Sequence, residues 1–205
     1  MVIGGTQGIT LDKVRRLVGL CLGGPAPVAL EVTTPEAVVL GPSCFFIPSV
    51  LNAADPRWII GAHAEATETY GPLLRAPNVV PVGYLVLNPG SAAARVTGAG
   101  PLTAERAAAF ARCGETLFRL PIIYVEYSGT YGSPEVIRAV AAAVEGARVF
   151  YGGGIDRPEL AAEMAALADT VVIGNAVYGN GAAALRETVA AVRETPAPCR
   201  LTSSG

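Results

Sequence analysis

The chain of 205 residues carries little charge: Asp, Glu, Lys and Arg make up 16%, and the net charge is −2. Its basic residues form no cluster, so the electrostatic footprint of a nucleic-acid-binding protein is missing. Aromatics are few at 6%, which removes the usual platforms for stacking bases. No apolar run reaches the ~18–20 residues that span a bilayer. The opening MVIGGTQG lacks the charged head, apolar middle and small-residue cleavage site of a signal peptide, which points to the cytoplasm. The four cysteines, Cys21, Cys44, Cys113 and Cys199, are scattered without a CxxC pair. They read as buried or half-buried free thiols in a reducing compartment. Lysine occurs once, as Lys13, and histidine once, as His63. Lys13 falls on a helix, which weighs against barrel isomerases and lyases that use a strand-end lysine.

Hydrophobic residues, in contrast, make up 51%, enough for one compact domain with strands buried on both faces. Short β-rich runs alternate with helical stretches. Strands are predicted at Val2–Gly4, Val28–Val32, Cys44–Ser49, Val80–Leu87, Ile122–Glu126, Arg148–Tyr151 and Thr170–Ile173. Helices are predicted at Leu11–Leu22, Pro56–Tyr70, Thr103–Leu117, Pro134–Val144, Pro158–Leu167 and Ala182–Val192. Asp55-Pro56 and Ser133-Pro134 each place a capping side chain before a proline at the first helical position. This alternation argues for a parallel α/β sheet. Between VALEV and CFFIPSV lie only eleven residues with two prolines and a glycine, too short and interrupted for a packed helix. The domain is expected to span 1–194, followed by a flexible tail, 195–205.

Two glycine-rich strand ends suggest a phosphate site. In RVFYGGGIDRPEL, Gly152, Gly153 and Gly154 end a strand ahead of a helix; in DTVVIGNAVYGNG, Gly174 and Asn175 end the last strand. Glycine lets backbone N–H groups approach an oxyanion closely. In (β/α)8 enzymes the loops after the last two strands often bind phosphate. Neither a GK[ST] nor a GxGxxG pattern is present. In IIYVEYSGTYGSPE, alternation puts Tyr124, Glu126 and Ser128 on one face and Val125 and Tyr127 on the other. A carboxylate at a strand's C-terminal mouth is costly to bury and usually has a task. Glu126 is a candidate to bind or deprotonate a hydroxyl, with Tyr124 orienting it; the competing reading makes Glu126 the partner of a buried arginine.

The segments GGTQGIT, FIPSVLN, WIIGAHAEATETYG, GYLVLNP, YVEYSGTYG, YGGGI and VVIGNAVY together resemble the geranylgeranylglyceryl/heptaprenylglyceryl phosphate synthase family over nearly all of 2–194. The resemblance implies a TIM-type (β/α)8 barrel lacking its first βα unit and the helix after VALEV, the barrel's third strand. It implies a homodimer that alkylates the 3-hydroxyl of sn-glycerol 1-phosphate with a long prenyl diphosphate, with possible peripheral membrane contact. By position, Tyr124, Val125, Glu126, Tyr127, Ser128 and Gly129 contact the glycerol phosphate, with Glu126 on its hydroxyls. Gly154, Gly174 and Asn175 hold the phosphate through backbone donors. Thr6 takes the place of a Ser/Thr ligand to Mg2+, which neutralises the diphosphate leaving group. Ala66 and Tyr70, four apart on one helix face, set prenyl length. A small residue at 66 resembles the bacterial branch with its C35 heptaprenyl donor, and a bulky Trp there the archaeal C20 enzymes.

The chain departs from that family at its start, where nothing before Val2 supplies the Lys and the Mg2+-binding Asp of the family's first strand. The expectation is a gene product that starts earlier. Its alternative is a truncated, non-catalytic relative that still binds glycerol phosphate.

Overall fold

The computed structural model describes residues 1–72, 77–174 and 181–198, apart from the side chains at 182 and 184. Seven strands follow one another: β1 (Val2–Ile3), β2 (Ala29–Glu31), β3 (Cys44–Val50), β4 (Val79–Val86), β5 (Ile122–Glu126), β6 (Arg148–Gly152) and β7 (Thr170–Val172). They hydrogen-bond in that order, and the pairs β1–β2, β2–β3, β5–β6 and β6–β7 are parallel. Among the described residues the α-helices are α1 (Leu11–Cys21), α2 (Gly61–Tyr70), α3 (Ala92–Thr97), α4 (Ala104–Thr116), α5 (Pro134–Ala143), α6 (Pro158–Ala165) and α7 (Gly181–Glu194). This is the α/β class of the (β/α) barrels, with strand and helix in alternation. Between β2 and β3 only a 3-10 turn forms, Pro35–Ala37, as the two prolines require.

Contacts divide the chain into two compact units: residues 1–49 with 55–82, and residues 50–54 with 83–205. The first unit has a small core. Val14 and Val18, four apart on α1, pack with Ile3, Val28, Leu30, Ala37 and Phe45. The Thr10 hydroxyl caps α1 by accepting the Lys13 N–H. The expected helix from Pro56 is interrupted. A 3-10 turn, Pro56–Trp58, capped by the Asp55 carboxylate on the Arg57 N–H at 2.8 Å, precedes α2. The Ser49 hydroxyl donates to the Ile59 carbonyl at 2.9 Å, and Ile60 lies outside the helical region at φ −146°. His63 of α2 bonds through Nε2 to the Pro48 carbonyl at 2.9 Å.

The second unit holds the larger core, where Ile123, Val125, Ile137, Val140, Val149 and Tyr151 are sealed from solvent with Met164. Ala107 and Ala111, both fully buried on α4, share one face. Gly114 continues that close approach: a Cβ there would lie 2.9 Å from both Ile123 and Leu51. Thr103 caps α4 through the Arg106 N–H at 3.2 Å, whereas Ser133 makes no side-chain cap to α5. The Glu115 carboxylate gathers the N–H groups of Glu145, Gly146 and Ala147, fixing the turn into β6. Sequence patterning missed α3; its cap is the Ser91 hydroxyl, which accepts the Ala94 N–H at 3.0 Å. Of the thiols, Cys21 and Cys44 are half-buried and burial pushes the Cys44 pKa up. Cys113, expected at least half-buried, is exposed on the outer face of α4.

Candidate functional site

The second unit gathers unusual polar chemistry at the C-terminal ends of β5 and β6. Strand β5 alternates as its sequence predicts. Val125 is fully buried in the core and Tyr127 packs against the same core. Tyr124 points to the other face, stacked on Tyr84 of β4 with ring centroids 4.6 Å apart and tilted against Phe150 at 6.2 Å. The register sets Glu126 opposite Gly152, and the missing side chain there is used by its neighbour. A Cβ on Gly152 would lie 2.1 Å from the Tyr124 hydroxyl, so the phenol oxygen rests over the glycine, beside the strand position of Glu126.

Glu126 is only 7% exposed. Its backbone is tied on both sides: its carbonyl accepts the Leu87 N–H at 2.9 Å, and the next residue, Tyr127, donates to Gly152 at 2.7 Å. Its Oε1 accepts the Ser128 N–H at 3.1 Å. Its Oε2 is buried without a hydrogen-bond partner among the described residues. An unpaired buried polar atom costs about 1–3 kcal/mol, and more for a charge. Among the described residues no arginine partners this carboxylate. A ligand hydroxyl is the kind of group that would satisfy it.

The loops after β5 and β6 interlock. The Tyr151 hydroxyl donates to the Gly153 carbonyl at 2.7 Å and accepts the Gly132 N–H at 2.8 Å. A Cβ on Gly153 would lie 2.4 Å from that of Tyr127, and one on Gly154, at φ +56°, 2.2 Å from the Tyr131 nitrogen. The triple glycine is thus required first by close packing, of Gly152 under the Tyr124 ring and of Gly153 and Gly154 against the backbone at 127 and 130–131. Burial pushes the Tyr151 phenol up to about 12 and raises Tyr127 as well. Tyr131 is raised by burial and then by Glu163, whose carboxylate accepts its hydroxyl at 2.7 Å. All three phenols therefore stay protonated at neutral pH.

Gly152 pairs with Val172, two residues before Gly174, so the two glycine-rich ends terminate neighbouring strands. Gly174 is exposed, with nothing among the described residues within 4 Å of an added Cβ. Asn175 lies outside the described residues. Ser128 and Gly129 are exposed in the loop after β5. Thr6, Ala66 and Tyr70 belong to the first unit. Thr6 is exposed in the loop after β1, and Ala66 and Tyr70 are half-buried along one stripe of α2 that begins at Ala62 and His63. Sequence reasoning overlooked Tyr84 and Asn88 of the β4 end; an Asn-Pro-Gly turn after a buried strand was their one signal.

Mg2+ prefers octahedral oxygen ligands, commonly one or two carboxylates with substrate phosphates. Among the described residues no group of three or more His, Cys, Asp or Glu is placed to hold a metal. Thr6 offers a single neutral hydroxyl. A hydroxyl alone does not hold Mg2+, so a site at Thr6 would draw its further ligands from a carboxylate and substrate phosphates.

A parallel α/β frame of the (β/α)-barrel class, with a buried carboxylate at its strand ends, is the frame on which barrel enzymes build their sites. Its family follows from kinship: the PcrB family matches residues 1–192, and the chain belongs to it as a prenyltransferase. Heptaprenylglyceryl phosphate synthase of Brevibacillus brevis is 42% identical over 95% of this chain and 84% of its own length. Geranylgeranylglyceryl phosphate synthase of Methanoculleus marisnigri is 44% identical over 94% of this chain and 85% of its own. In fold, the chain matches the crystal structure of (S)-3-O-geranylgeranylglyceryl phosphate synthase from Thermoplasma acidophilum in complex with sn-glycerol-1-phosphate. That match has a TM-score of 0.82 at 24% identity, over 94% of this chain and 81% of that one. Among the described residues no helix is long and apolar enough to cross a membrane.

Proposed function

We propose that the chain transfers a heptaprenyl (C35) group from its diphosphate to the 3-hydroxyl of sn-glycerol 1-phosphate. The observation that carries this reading is Glu126, buried with Oε2 unpartnered at the mouth of β5. Glu126 accepts the hydroxyl's hydrogen bond and takes its proton as the oxygen attacks C1 of the donor. One C–O bond forms, the bond from C1 to the diphosphate oxygen breaks, and diphosphate leaves with the electron pair. Tyr124, held by its stack on Tyr84, orients the acceptor. The segment Tyr124 to Gly129 and the strand ends at Gly154, Gly174 and Asn175 receive glycerol and phosphate.

Identity alone does not choose the donor, because relatives named for both chain lengths lie at 42% and 44%. The small half-buried Ala66, a turn before Tyr70 on α2, favours the longer one, since each buried methylene contributes about 0.8 kcal/mol. Mg2+ dependence is part of the proposal: a divalent cation would neutralise the leaving diphosphate, and no step here is routed through it. A homodimer that works in the cytoplasm and touches the membrane through its lipid substrate and product is part of the same proposal.

The test is transfer of labelled sn-glycerol 1-phosphate to a ladder of prenyl diphosphates from C20 to C35, with and without Mg2+. Product greatest at C35 supports the reading, and product greatest at C20 replaces the donor. Saturable binding of glycerol phosphate without any product would make the chain a binding relative.

A further inference from the structure

Glu126 keeps one oxygen for a ligand only while its other oxygen stays on the Ser128 N–H, and the peptide at Ser128 is held from outside β5. Asn88, half-buried two residues beyond β4, donates from Nδ2 to the Ser128 carbonyl at 2.6 Å. Its Oδ1 accepts the Gly90 N–H at 3.0 Å, which fixes which end of the amide faces the loop. The Asn88 carbonyl in turn accepts the Ser91 N–H at 3.0 Å, anchoring the turn to α3. Ser128 is thus gripped at both backbone polar atoms, its nitrogen by Glu126 and its carbonyl oxygen by Asn88. We propose that Asn88 is a positioning residue, holding the Ser128 peptide so that Glu126 Oε2 stays turned toward the acceptor hydroxyl. The role rests on the glycerol-phosphate reading only for what binds there, not for the geometry.

The substitution Asn88→Asp removes the donor to Ser128 while a carboxylate still accepts the Gly90 N–H, and the uncharged Asn88→Ser, too short to reach Ser128, is run beside it to control for the added charge. Asn88→Asp is expected to weaken sn-glycerol 1-phosphate binding about tenfold, the loss typical of one charge-coupled hydrogen bond, at nearly unchanged melting temperature. The Ser128 amide resonance in a 1H–15N spectrum of the ligand-free protein should move. In an Glu126→Gln background the same substitution should change binding less than about twofold, because two groups acting through one contact are not additive. A merely structural residue would add its full effect there. Binding unchanged in Asn88→Asp, an unmoved Ser128 resonance, or full additivity overturns the proposal. If Asn88→Asp does not fold, Asn88→Ser carries the same comparisons. If wild type fails to bind glycerol phosphate, the functional reading falls, and the Ser128 resonance alone decides the positioning role.

Discussion

Replacing Gly154 by alanine separates two roles that the triple glycine could play. Alanine keeps the N–H that a phosphate would use but adds a Cβ. At φ +56° that Cβ would sit 2.2 Å from the Tyr131 nitrogen and 2.3 Å from the Thr130 carbonyl carbon. These are backbone atoms, so no side chain can swing away. The left-handed conformation costs alanine roughly 1–2 kcal/mol. Shifting the neighbouring peptide adds an overpacking cost of about 1–3 kcal/mol. The sum, about 2–5 kcal/mol, is a large share of the ~5–15 kcal/mol that holds a domain together. The melting temperature should fall on the order of 10 °C, read by calorimetry or circular dichroism. Gly174→Ala is the control, since nothing among the described residues lies within 4 Å of its added Cβ, and it should melt within about 2 °C of wild type. A Gly154→Ala protein as stable as wild type would refute the interlocked-loop account.

Two further substitutions test neighbouring features. Ala66→Trp should turn donor preference from C35 toward C20 in the ladder assay while leaving glycerol-phosphate binding intact; unchanged preference would remove Ala66 as a ruler. Tyr151→Phe leaves the Gly132 N–H and the Gly153 carbonyl without their shared hydroxyl, and should cost about 1–3 kcal/mol in urea unfolding. Because the folded Tyr151 pKa is about 12 against ~10 unfolded, the neutral phenol favours the folded state. That contribution is fully present below about pH 10 and is lost as pH rises toward 12. Unfolding followed from pH 9 to 12 should therefore steepen above pH 10 in wild type and flatten in Tyr151→Phe.

Much of this geometry was legible in the residue pattern, for reasons that differ by element. Strands β4 to β6 announce themselves because parallel strands buried on both faces read as unbroken apolar runs. The alternation in β5 separated Tyr124 and Glu126 from Val125 before any coordinates, since a period of two is dictated by the pleat. The short link between β2 and β3 was fixed by its prolines. What escaped were features made by distant partners. The break ahead of α2 depends on the Ser49 hydroxyl taking the Ile59 carbonyl, a contact across ten residues that no local propensity encodes. Ser133 looks like a cap and makes no side-chain cap bond. The glycines at 152–154 suggested anion binding from their freedom alone, whereas the space they leave is already filled by Tyr124, Tyr127 and the 130–131 peptide. Asn88 and Tyr84 matter through their contacts with β5 and the loop after it, so beyond the Asn-Pro-Gly turn their residue types carried no signal.

The most direct test of the account is a calorimetric titration of sn-glycerol 1-phosphate into wild type and Glu126→Gln, without donor or metal. A neutral amide in place of the carboxylate keeps the shape but weakens acceptance at the buried oxygen. Saturable binding to wild type, weakened about tenfold or more in Glu126→Gln, is the predicted result. Equal affinities for the two proteins, or no binding to either, would contradict the claim that the unpartnered oxygen of Glu126 awaits the acceptor hydroxyl.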